Sequence, residues 1–192
     1  MTNEELALKI AKGLVETGVE GPYNCVTCST AGDYPSMGCS QWEGLDGGRG
    51  DILLGYIDGG SQFAGRTYSD IEASGELDAL AELLDSEQGQ AAQNQILADD
   101  CLEKYIPALT DAGLTDEKCI IYAGIWCPTS HYVVNKFLTR RADRGYDINN
   151  LEMLRDLFYE QYAIAADCGD YADGYANRAE STYQYVASLE LE

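Results

Sequence analysis

Apolar residues recur every three or four positions along most of the chain, and the predicted elements follow that rhythm. Leu6, Ile10 and Leu14 share one face behind Thr2 and Glu5, a capping-box pair, so a first helix is predicted that fails at Gly18. Between residues 21 and 42 the rhythm breaks. Gly21, Pro22, Gly32, Asp33, Pro35 and Gly38 are spread among Tyr, Val, Thr and Cys, the pattern of a short antiparallel hairpin or irregular β-lobe. A glycine-rich run at 44–50 turns the chain into a helix predicted over 51–58, carrying Ile52, Leu53, Leu54 and Ile57. Leu77, Leu80, Leu83 and Leu84 mark the next helix. Ile96, Leu97, Leu102 and Tyr105 mark another, which Pro107 is expected to stop. A buried helix is predicted at about 116–126, with Pro128 in the first turn of its successor, through Val133, Val134, Phe137 and Leu138. Two further helices are predicted over 150–166 and 171–188. The fold class expected is α+β, mostly α, as a single domain over 1–192. Its parts are a first helix (1–20), a β-lobe with a cleft loop (21–50) and a helical lobe (51–192).

Charge narrows the partners. Thirty-three acids against twelve bases give a net −21, so nucleic acid is not an expected partner, since phosphate backbones are bound by clustered Lys and Arg. No apolar run approaches the roughly 20 residues that span a bilayer, so no membrane insertion is expected either. The N-terminus, Met1-Thr2-Asn3-Glu4-Glu5, has no basic n-region, so no signal peptide is expected. The seven cysteines are odd in number and are read as reduced thiols packed as small hydrophobes. Cys25 and Cys28 form a C-x-x-C with Cys39 nearby, but a fourth zinc ligand is missing, and no metal or cofactor is expected. His131, the only histidine, lies four residues after Cys127. That spacing would allow thiolate activation, although a packed histidine is the simpler reading.

The block that carries chemistry runs Glu20-Gly21-Pro22-Tyr23, then Gly32-Asp33-Tyr34-Pro35-Ser36-Met37-Gly38-Cys39-Ser40-Gln41-Trp42, then Arg49. It places one carboxylate at a helix end and a second in the hairpin that follows. Such a pair suits glycosidic hydrolysis, in which one acid protonates the leaving oxygen and a second carboxylate acts as base or nucleophile. An apolar wall from Tyr23 or Trp42 would keep the acid protonated near neutral pH. Glu16, one turn earlier, is the competing acid.

The pattern Glu-Gly-x-Tyr, then Ser-x-Gly-x-x-Gln-Trp, then an Arg opening a Leu-rich helix, resembles lysozyme-superfamily peptidoglycan hydrolases, the glycosidase domains of bacteriophage (clostridial-type) endolysins. The resemblance spans roughly residues 5–58. It implies a lysozyme-like fold, Glu20 as general acid and Asp33 as the second catalytic carboxylate. It also implies substrate-binding roles for Tyr23, Ser36, Gln41, Trp42 and Arg49, with Gly38 in the hairpin pattern. The turn before Ser36 is one residue out of register with that pattern, and residues 43–48 lengthen the approach to Arg49, so Glu43 or Asp46 stand as alternatives to Asp33. The implied activity is a muramidase cutting the glycan strand of bacterial peptidoglycan. The enzyme would be held in the host cytoplasm until lysis or carried on a virion, with a separate wall-binding subunit, domain or virion assembly as partner. Chitosanase-like or lytic transglycosylase chemistry is the alternative on the same fold, and a non-enzymatic virion or structural protein is the alternative from another class.

Overall fold

The computed structural model describes residues 1–45 and 47–191. Helices dominate it, with one small three-stranded antiparallel sheet, an α+β, mostly α arrangement. The chain divides into two compact units, Glu20–Ile96 and Met1–Val19 with Leu97–Glu192. The sheet is therefore grouped with the helices that directly follow it, rather than standing apart as a lobe ending near residue 50.

Helix α1 (Asn3–Glu16) begins as its sequence predicts. The Thr2 hydroxyl accepts from the Glu5 N–H at 3.2 Å, and the Glu5 carboxylate accepts from the Thr2 N–H at 2.7 Å. It ends at Thr17, and Gly18 follows in the left-handed region at φ 73°.

In the unit Glu20–Ile96, β1 (Val26–Cys28), β2 (Pro35–Met37) and β3 (Trp42–Glu43) pair in that order. Val26 faces Met37 and Met37 faces Trp42, while Thr27, Ser36 and Glu43 form the adjoining row. Alternation puts the first row on one face, where Met37 and Trp42 are buried. Helices α2 (Arg49–Gly55), α3 (Tyr68–Ala73) and α4 (Leu77–Asp85) and the start of α5 (Glu87–Asp100) supply Leu53, Leu54, Ile71, Leu80, Leu84 and Ala92 to the same unit's core.

Among the described residues of the other unit, every regular element is a helix. Pro107 does not stop its helix as expected. A turn of π-helix at Cys101–Tyr105 lets the Ile106 N–H reach back to the Cys101 carbonyl, and α6 (Ile106–Asp111) continues with Pro107 in its first turn. The wider π turn removes the clash a proline ring makes with the carbonyl four residues earlier. Pro128 likewise does not begin a helix. Helix α7 (Glu117–Ala142) passes through Pro128 and breaks at Ser130 (φ −175°, ψ 110°), whose hydroxyl accepts from the Val133 N–H at 3.3 Å. A serine oxygen satisfies an orphan donor of the new helix start, which a proline cannot do. Helix α8 (Leu151–Leu157), a second π turn (Phe158–Tyr162) and α9 (Ala163–Ala165) fill the 150–166 expectation, and α10 (Ala172–Ser188) fills 171–188.

Aromatic rings centre this helical unit. Trp126 lies 4.6 Å from Phe158 and 4.9 Å from Tyr162, with Phe137 5.0 Å from Phe158. Helix α1 approaches α7 at small residues. A Cβ on Gly124 would come within 2.5 Å of Ile10 Cδ1, and one on Gly13 within 2.6 Å of Ile125 Cδ1. His131 packs 4.0 Å from the Tyr132 ring. Cys127 is buried, its thiol pushed up chiefly by desolvation, and the break at Ser130 separates it from His131.

Candidate active site

Glu20 lies four residues beyond the end of α1, rather than in the helix's last turn, and opens the unit that contains the sheet. It is half-buried, and its Oε2 accepts from the Ser40 hydroxyl at 2.9 Å. The next residue is fixed as well, because the Gly21 N–H donates to the Cys39 carbonyl at 2.8 Å. Backbone and side chain thus both tie Glu20 to the turn after β2. Glu16, the competing acid, is exposed in the last turn of α1.

That turn is itself held by a buried amide. The Gln93 Oε1 accepts from the Cys39 N–H at 2.8 Å, while its Nε2 donates to the Leu84 carbonyl at 2.9 Å and the Tyr23 carbonyl at 3.3 Å. Gln93 is 0% exposed. Beside it, the Tyr23 hydroxyl donates to Asn94 Oδ1 at 2.9 Å. Gly38 is required here on two counts. Its φ is 76°, and a Cβ would stand 2.6 Å from Gln93 Oε1.

Glu20 also acts on the electrostatics of this turn. The Cys39 thiol is pushed up to about 12, first by burial and then by the Glu20 carboxylate nearby. Cys39 therefore stays a neutral thiol, in the same turn whose Ser40 hydroxyl donates to Glu20.

The remaining candidates fall into different roles. Gln41 is exposed and holds φ 51°, a left-handed conformation that costs a non-glycine residue about 1–2 kcal/mol. Strain of this kind concentrates at functional turns. Ser36 is buried and donates to the Gln41 carbonyl at 3.0 Å, so it shapes that turn from within. Trp42 is only 7% exposed and belongs to the core under the sheet. Arg49 is exposed at the first position of α2. Asp33 is exposed, and its Oδ1 accepts from both the N–H and the hydroxyl of Ser69, at 3.0 and 2.9 Å, at the start of α3. Glu43, half-buried on β3, accepts from the Ser29 hydroxyl at 2.8 Å. Asp46 lies outside the described residues. Ser40 and Gln93 escaped the sequence reading. Only the small residues Gly89, Ala91 and Ala92 around Gln93 hint at a close approach.

Among the described residues no group of three or more His, Cys, Asp or Glu side chains is arranged to hold a metal ion, and all seven cysteines are free. Among the described residues no helix is long and apolar enough to cross a membrane. No protein-family model, curated protein or solved structure matches the chain.

Proposed function

We propose that the chain is a lysozyme-like glycoside hydrolase acting on the glycan strand of bacterial peptidoglycan, with Glu20 as proton donor. One observation carries the reading. A half-buried carboxylate is fixed by Ser40 and Gly21 at the edge of a strained turn that presents Gln41. A carboxylic acid so placed is poised to protonate a glycosidic oxygen as the C–O bond breaks, and Gln41 is placed to hydrogen-bond the sugar or the attacking water. The unit containing Glu20 has thirteen acids against two bases, which favours neutral or cationic stretches of glycan over anionic polymers. A partner that delivers the enzyme to the wall answers the same charge.

A second reading has its own support. Both donors of Ser69 converge on Asp33, so this carboxylate already serves as an acceptor at the start of α3. A mechanism with Glu20 as sole carboxylate then becomes attractive, namely lytic transglycosylation, in which a substrate hydroxyl replaces water as the nucleophile. The test is digestion of purified cell walls by the wild type and by Glu20→Gln and Asp33→Asn, with product ends analysed. New reducing ends lost in both variants support hydrolysis by a pair. Anhydro ends lost only in Glu20→Gln support the one-carboxylate route. Wall breakdown undiminished in Glu20→Gln removes the proposal.

A further inference from the structure

The helical unit holds a second candidate site, on the part of the chain richest in bases. Lys136, Arg140, Arg141 and Arg144 are four of the chain's twelve basic residues, and all fall in the last two turns of α7 and just beyond. They line one cavity of about 370 Å³ together with Val133, Phe137 and the segment Ala165–Asp167. In a protein of net charge −21, cations gathered round one cavity need a reason.

The simplest reason is the helix dipole, which favours cations near a helix C-terminus. That accounts for exposed Arg140. It does not account for Arg141, which is 8% exposed, lines the cavity and has a buried Nε with no hydrogen-bond partner. Burying a guanidinium N–H is costly unless a partner compensates it. None is supplied. Among the described residues no carboxylate pairs with any of the four cations, including Asp167, which also lines the cavity. Arg141's neighbours make matters worse, because Arg144 and Arg140 repel its charge after desolvation has already weakened it. Its flat face is taken by the Phe137 ring, 4.8 Å from the guanidinium carbon, which leaves the N–H edge to bind.

We infer that this cavity is a binding site for a phosphomonoester on a small organic molecule, with Arg141 making the central contact to the phosphate. Arg140, Arg144 and Lys136 add charge at the rim, and the planar fork of Arg141 matches paired oxygens. The volume lies in the range of small-molecule sites and exceeds what a bare inorganic ion needs. Val133, Phe137 and Ala166 give an organic group apolar wall to rest on. A dianion is favoured over a carboxylate because three net positive charges surround the space. The site lies wholly within the helical unit and does not rest on the role of Glu20.

The experiment is calorimetric titration of the full chain at low ionic strength with phenyl phosphate, inorganic phosphate and benzoate. Phenyl phosphate is expected to bind saturably and more tightly than the other two, and to weaken as salt is added. Arg141→Met is expected to cost about tenfold or more in affinity, and Lys136→Met with Arg144→Met a similar amount. Lys12→Met, on α1, is the control and should stay within about twofold. If Arg141→Met fails to fold, the exposed double variant decides. Absence of saturable binding, equal binding of benzoate, or binding unchanged in the double variant would each overturn the assignment.

Discussion

Gln93→Leu tests the scaffold around Glu20 most sharply. The side chain is fully buried and makes three hydrogen bonds, one accepted from Cys39 N–H and two donated to the Leu84 and Tyr23 carbonyls. Leucine is of similar size, so the change removes polarity with little change in volume. It leaves the Cys39 N–H buried and unpaired, at a cost of about 1–3 kcal/mol, and removes one hydrogen bond from each of two carbonyls, at about 1 kcal/mol apiece. Added apolar burial returns about 1 kcal/mol. The net loss should be about 3 kcal/mol. With a urea slope of about 1–3 kcal/mol per molar, the unfolding midpoint should fall by roughly 1–3 M. Trp42 is the one tryptophan in the unit Glu20–Ile96, so fluorescence in a Trp126→Phe background reports this unit's unfolding. The exposed Gln62→Ala should stay within about 0.5 kcal/mol. A loss below about 1 kcal/mol in Gln93→Leu would refute the claim that this amide holds the turn carrying Cys39 and Ser40.

Two further outcomes follow from burial. Trp42 lies in the core, so Trp42→Ala should destabilise by about 3–5 kcal/mol in urea unfolding, whereas Trp42→Phe should leave substrate affinity nearly unchanged. A large loss of glycan binding in a stably folded Trp42→Phe would return that indole to the substrate site. Stability should also fall in alkali. The Cys39 thiol titrates at about 12 when folded against 9.0 as its ordinary value, so between those limits the unfolded chain loses a proton that the folded chain keeps. The stabilisation is therefore intact below pH 9 and lost as pH rises toward 12, at about 1 kcal/mol per thiol by pH 10. Cys101, Cys119 and Cys127, raised by burial in the same direction, add to the slope. Urea midpoints at pH 8 and 10 should show the fall, and Cys39→Ala should reduce it. A flat profile would contradict the burial of these thiols.

Local signals were legible in the sequence where local physics decides. The Thr2–Glu5 capping box, the stop at Gly18 and the small β-lobe follow from spacing and turn residues alone. The prolines misled for a definite reason. A π turn before Pro107 and a serine cap after Pro128 move the consequence of each ring away from the ring itself. The geometry of the candidate site was only partly legible. Glu20 stood out by its motif, but its partner Ser40 is 20 residues away and the supporting Gln93 is more distant still, on a helix with little hydrophobic pattern. The engagement of Asp33 with Ser69, 36 residues on, depends on tertiary contact that no spacing reveals.

The central claim is that Glu20 is the acid, and Glu20→Gln measures it. The amide keeps the shape and still accepts the Ser40 hydrogen bond, but it has no proton to give. On purified Gram-positive walls, with product ends counted, wild type should release new glycan ends. Glu20→Gln should fall by about two or more orders of magnitude while unfolding at the same urea concentration. Equal rates for the two proteins, or no release of ends by either, would contradict the account.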